Sequence, residues 1–306
     1  MIQLFLAKLK IVIINKFTSI RDKKKLKHTI ASFLYLTETY DVVKKFLKDP
    51  FSISALSKQD IYYDYISLLH LIMIKKGMKK GFCIPGSIRN GIKICNELKL
   101  KFAKVDYTIK GAIVPENNSL SKETTDELIK MNTNHGTTEL ICSLDERIIN
   151  EFSKKDTSSI RMGELEEYPD CCVKQFVINF WRDFEYIAEL IGDDPYNVEK
   201  IMYWKRDASR SEKIFKNLSK IYMEYGESRK KFPYTIHQAC TACLSGGENS
   251  PTGKMNSKWN EICEKEFPEL NEEIIKGSMR EYKANLWWDQ SYEEYMKGYY
   301  EEMGEN

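Results

Sequence analysis

The chain has 306 residues, of which 42% are hydrophobic and 30% charged, with a net charge of +2. That length can bury a substantial core in one large domain or two smaller ones, so the chain is neither a stapled miniprotein nor disordered over long stretches. A net charge so close to zero gives no global attraction to nucleic acid or anionic lipid.

The charge is unevenly distributed. Residues 1–36 carry eight Lys or Arg (Lys8, Lys10, Lys16, Arg21, Lys23, Lys24, Lys25 and Lys27) against the single acid Asp22. Residues 264–306 carry twelve Asp or Glu against five Lys or Arg. Two solvated faces of opposite sign are the simplest reading, and a basic arm that touches RNA or an acidic protein partner is the alternative. Ile2 to Ile14 is apolar but broken by Lys8 and Lys10, and it lacks the small-residue cleavage site of a secretory signal. Ile66 to Ile74 is too short to cross a bilayer. No membrane association is expected, and a cytoplasmic location is the default. In that reducing compartment clustered cysteines act as ligands or reactive thiols rather than as disulfides.

Taken in chain order, Asp60 to Lys76 reads as a helix stopped by Gly77 and Gly81, and Ser87 to Leu98 as a second. The period then changes to two. Val105, Tyr107, Ile109 and Ile113 alternate with polar residues as in a half-buried strand, and Thr138 to Ser143 is a shorter one. Between them Ser121 to Met131 reads as a helix with an incomplete capping box. From Pro169, the residues Val173, Phe176, Val177, Phe180, Trp181, Phe184, Ile187, Ala188 and Ile191 form one apolar helical stripe closed by Gly192. Asn256 to Phe267 and Glu269 to Met303 add C-terminal helices. The expected fold is a helix-dominated α+β protein with a small sheet near residues 100–145 and a helical C-terminal half. Its expected regions are 1–156 and 157–306, with the boundary at Lys154 to Ser159.

Two short segments carry the chemistry. Tyr168-Pro169-Asp170-Cys171-Cys172 and His237-Gln238-Ala239-Cys240-Thr241-Ala242-Cys243 hold half of the eight cysteines and one of the four histidines. Thiolate and imidazole are the ligands of zinc and of iron–sulfur clusters. Pro169 suits a first turn and Asp170 can cap it, which puts Cys171 and Cys172 at the positive end of a helix, where thiolate is stabilised. Successive residues on a helix point about 100° apart, so one of the two is expected to ligate, Cys172 before Cys171, with the other a second ligand or a reactive neighbour. In the second segment the H-x2-C-x2-C spacing lets consecutive ligands curl around one ion or cluster edge.

The other cysteines, Cys83, Cys95, Cys142 and Cys263, fall in apolar patterns and read as core residues. His28 and His70 read as structural, and His135 as a turn residue. Ser245 to Lys254 only superficially looks like a phosphate loop. Five residues separate Gly247 from Gly253, and Met255 stands where Ser or Thr should follow the lysine. A turn leading into a helix capped near Ser250 or Asn256 is expected instead.

Gly163-Glu164-Leu165, Tyr168-Pro169-Asp170-Cys171-Cys172-Val173 to Phe176, and His237-x2-Cys240-x2-Cys243 together resemble the uncharacterised, mainly archaeal family catalogued as domain of unknown function 483. The resemblance covers residues 160–260, and Glu167 stands where that pattern has a glycine. It supports the choice of site residues and implies nothing about a substrate.

The site expected from the sequence is therefore a metal centre drawn from Cys171, Cys172, His237, Cys240 and Cys243. An iron–sulfur cluster with a redox or sulfur-chemistry role is placed first, because an adjacent spare thiol exceeds what a closed zinc site needs and the composition suggests an anaerobic archaeal source. A zinc-stabilised, non-enzymatic RNA- or protein-binding module is the alternative. Whether the protein is an enzyme stays open.

Overall fold

The computed structural model describes residues 38–48, 61–84, 88–107, 114, 118–134, 137–154, 159–194, 196, 212–294 and 296–297. The basic segment 1–36, His28, His135, Ile109 and Ile113, and the expected boundary at residues 156 and 157 lie outside them. Contacts divide the chain into Met1–Pro50 and Phe51–Asn306. In the first unit residues 38–48 form a helix, α1, which buries Val42, Val43 and Phe46 on one face.

The second unit is helix-dominated α+β. It begins with α2 (Ile61–Lys75), one residue shorter at each end than the sequence pattern suggests. From Leu68 to Ile74 every side chain is fully buried, so α2 is a central core helix rather than an amphipathic surface one. It ends where Gly77 takes φ +71° and its N–H bonds back to Ile74 O at 2.8 Å. This is the left-handed stop that glycine adopts without a Cβ penalty.

The sheet contains β1 (Gly81–Ile84), β2 (Lys101–Tyr107) and β3 (Thr137–Ser143), with α3 (Ile88–Glu97) and α4 (Lys122–Asn134) in the connections. Both pairings are antiparallel in the order β1-β3-β2, with Phe82 and Phe102 flanking Cys142. β1 extends the sheet back beyond residue 100. All four of its residues are buried, so it carries none of the alternation that marks a half-exposed strand. Ser121 caps α4 by accepting the Thr124 N–H at 3.3 Å.

Then come α5 (Glu146–Phe152), α6 (Ser159–Leu165) and α7 (Asp170–Ile191). Along α7 the stripe residues Val173, Val177, Trp181, Phe184 and Ala188 are buried, but Phe176 is 53% exposed. The side chains of Phe180, Ile187 and Ile191 lie outside the described set. Gly192 closes the helix at φ +95°.

The C-terminal part comprises α8 (Glu212–Lys231), α9 (Thr241–Gly246), α10 (Pro251–Glu266) and α11 (Pro268–Asn285). Ser250 caps α10 by accepting the Gly253 N–H, with Pro251 at the first position. A Cβ on Gly253 would stand 2.1 Å from Gly247 O. That glycine serves a close backbone approach, consistent with a turn rather than a phosphate loop. The last expected helix does not run unbroken from Glu269 to Met303. It stops at Asn285, a 3-10 turn follows at Leu286–Trp288, and residues 292–294 are helical again. Ser291 and Glu294 form a reciprocal capping box at that restart. α11 packs on α8 and on α2, and His70 of α2 is held between Phe82 and Trp259 with ring centroids 4.6 Å away on each side. Among the described residues no helix is long and apolar enough to cross a membrane.

Candidate metal centre

Two helix starts meet at the site. α7 begins at Asp170, with Pro169 in the cap position and no side-chain cap hydrogen bond, so Asp170 is a first-turn residue and not the expected cap. α9 is preceded by Cys240 as its cap residue and carries Cys243 at its third position. The sulfurs of Cys171, Cys172, Cys240 and Cys243 all lie within 4.8 Å of one another. Cys243 Sγ is 3.6 Å from Cys171 Sγ and 3.6 Å from Cys172 Sγ. This cluster of four cysteines is able to hold a metal ion.

Both members of the adjacent pair reach the group, where the helical wheel suggested only one. Side chains tilt toward a helix's N-terminus. Two first-turn residues can therefore converge beyond the helix end although they diverge around its side. The cluster is well shielded: Cys172, Cys240 and Cys243 are buried, Cys171 half-buried, and Phe232, Ala239 and Leu244 pack around them.

Several donors converge on the sulfurs. Cys240 N–H donates to Cys172 Sγ at 3.4 Å, and Thr252 Oγ1 lies 3.2 Å from the same sulfur. Burial pushes the Cys243 thiol up, but hydrogen bonds from the Thr252 hydroxyl and backbone and from Cys171 and Cys172 outweigh it, bringing the thiol down to about 7. Cys171 is pushed up to about 11 by burial and by its hydrogen bonds to Cys243 and Cys240. Burial likewise raises Cys172. Metal-free, Cys171 and Cys172 are thus protonated thiols that share hydrogens with the more acidic Cys243.

His237 stands beside the four sulfurs and not among them. Its Nε2 is 3.1 Å from Thr252 Oγ1, and its ring packs on Tyr168 with centroids 4.8 Å apart. Burial, with Arg229 and Lys79 nearby, lowers its pKa to about 3, so the imidazole is neutral. The H-x2-C spacing that suggested a ligand instead places an imidazole one hydroxyl away from Cys172. Thr252, the residue that joins them, lies in the first turn of α10 and carries no ligand-type signal in the sequence.

The remaining cysteines are all buried in the core, as expected. Cys95, Cys142 and Cys263 are fully buried, and Cys95 Sγ lies 3.0 Å from Cys142 Sγ. Cys83 packs in a core cluster with Ile141, Phe152 and Leu165 and also donates to Glu139 Oε2 at 2.6 Å and lines a cavity of about 470 Å³ that reaches Cys172. The cavity's other polar residues include Tyr168, which opens the Tyr168-to-Cys172 segment, and Glu166 and Arg229, neither of which has a local sequence signal. Glu167, the residue before Tyr168, has φ +61°. Its carboxylate accepts the Lys80 N–H at 2.8 Å, which helps hold a left-handed backbone without glycine.

No protein-family model, no curated protein and no solved structure matches this chain.

Proposed function

We propose that Cys171, Cys172, Cys240 and Cys243 bind one tetrahedral zinc ion that ties the start of α7 to the segment 237–246. The observation that carries this reading is the mutual approach of the four sulfurs, within 4.8 Å overall and 3.6 Å for the two shortest pairs. Zinc–sulfur bonds of about 2.3 Å in a tetrahedron place sulfurs roughly 3.8 Å apart. An iron–sulfur cluster interposes bridging irons and sulfides between its thiolates, which spreads the cysteine sulfurs wider. The spacing therefore favours a single ion, and the order of preference drawn from the sequence is reversed.

Four protein thiolates leave no open coordination position, the pattern of a structural site. On this reading the ion contributes folding energy to residues 160–260, the region whose motifs support our proposal of kinship with the domain of unknown function 483 family.

Anaerobic purification followed by metal and sulfide analysis and an absorption spectrum tests the assignment. One zinc per chain, no sulfide and no visible absorption are expected. Stoichiometric iron and sulfide with a reducible visible chromophore would restore the cluster, and a metal-free protein would sink both.

A further inference from the structure

The cavity of about 470 Å³ lies between the sheet side and the helical side of the second unit, within the size range of small-molecule sites. Its apolar surface comes from Phe82, Met162, Val173 and Phe176. Phe176 is 53% exposed at its rim, on a helix whose other described stripe residues are buried. An aromatic ring displaced from the core toward a cavity mouth is placed to cover an apolar ligand.

The polar groups fall on two sides. From the sheet side come Glu139, accepting from Cys83, and the buried Glu166, accepting from the Tyr168 hydroxyl and paired with the buried Lys79, whose Nζ donates to Glu166 O. From the helical side come Arg229 and His237. The Arg229 guanidinium is buried, donates to Thr235 O and Ile236 O, and stacks on Tyr225 at 4.5 Å. Its Nε has no hydrogen-bond partner among the described residues, and neither does His237 Nδ1. A buried polar atom left unpaired is costly, so both atoms call for a partner. With the one Thr252 hydroxyl proton directed to the cysteine sulfurs, its oxygen accepts from His237 Nε2–H, which leaves Nδ1 as an acceptor. The lining thus combines a fixed cationic donor and a neutral acceptor with the carboxylates of Glu139, on β3, and Glu166, in the turn between α6 and α7.

We infer that this cavity is a binding site for a small zwitterion of the amino-acid type with an apolar side chain. Its carboxylate sits on Arg229, its ammonium group between His237 Nδ1 and Glu139, and its apolar side chain against Phe82, Val173 and Phe176. Arg229 suits this role because it stays charged and its guanidinium donates to the backbone carbonyls of Thr235 and Ile236 rather than to a carboxylate among the described residues. The site touches the metal centre only at Cys172, so the inference stands whichever metal the cysteines take.

Calorimetric titration of the full chain as purified tests it with three matched probes: phenylalanine, phenethylamine without the carboxylate, and 3-phenylpropionate without the amine. Phenylalanine is expected to bind, and each truncated probe at least tenfold more weakly. Phe176→Ala should weaken phenylalanine about tenfold while metal content and melting temperature stay unchanged, since that ring is largely exposed. Glu139→Gln should weaken phenylalanine about tenfold and leave 3-phenylpropionate unaffected. Equal affinity for all three probes, no binding of any, or a Glu139→Gln effect identical for both acids would overturn the assignment.

Discussion

Cys171 and Cys243 are separated by 72 residues in sequence, yet their sulfurs lie 3.6 Å apart. That contact joins the first turn of a 22-residue helix to a six-residue one. A short helix without a side-chain cap is not stable alone. Its position depends on the packing of Phe232, Ala239 and Leu244 around the cysteines.

Replacing one of these sulfurs should remove the metal and loosen the region together. Cys240→Ala and Cys243→Ala are expected to lose the bound ion and lower the melting temperature by on the order of 10 °C, a loss of roughly 3 kcal/mol. Cys95→Ala should retain full metal content, because Cys95 packs against Cys142 in the sheet core. Elemental analysis and thermal melts of the three variants decide it; equal metal loss in all would mean the site is elsewhere.

Metal affinity should fall steeply in acid. Burial holds the Cys171 thiol up at about 11 and raises Cys172 as well, so near neutral pH both bind protons when metal-free and must release them to ligate. Two protons released per ion correspond to about a hundredfold change in apparent affinity per pH unit. Between pH 8 and 6 affinity decreases as pH falls, at least that steeply, with Cys243 adding to the slope as it protonates near 7. Competition against a chelator at three pH values measures the slope, and a pH-independent affinity would contradict the thiol environment described above.

Helix α6 approaches α7 over Gly163. A Cβ there would lie 2.4 Å from Val173 Cγ2, closer than side chains tolerate. Gly163→Ala should destabilise the protein by about 1–3 kcal/mol through overpacking. Adding Val173→Ala should recover part of that loss, because it removes the clashing methyls. A denaturant double-mutant cycle checks the coupling, and purely additive effects would show that the two residues do not meet.

Glu167 offers a backbone test. At φ +61° a glycine escapes the roughly 1 kcal/mol cost borne by other residues, but Glu167→Gly also loses the acceptor for Lys80 N–H. The two effects should leave the glycine variant within about 1 kcal/mol of the parent. Glu167→Val, β-branched and without the carboxylate, should cost more than 1 kcal/mol. Urea titrations of both variants separate them, and equal stabilities would remove the left-handed conformation as the cause.

The sequence alone determined those features that depend on neighbours along the chain. The glycine stops at Gly77 and Gly192 and the 3.6-residue stripe of α7 arise from backbone sterics and local burial, and the structure places each within a residue or two of its pattern, while of the expected alternation Val105 and Tyr107 form the end of β2. The two cysteine pairs were legible for the same reason, as ligand-type residues at short fixed spacings. What only the tertiary structure decided is the set of relationships across the fold. It brought Cys171 and Cys172 together into one group with Cys240 and Cys243, left His237 one hydroxyl outside it through Thr252, and turned Phe176 out to a cavity rim. It also paired β1, too short and too completely buried to show alternation, and set Cys83 against Glu139 from the neighbouring strand. These depend on which helix ends and strands come to face one another, and that is set by burial of the whole core around α2 rather than by any local period.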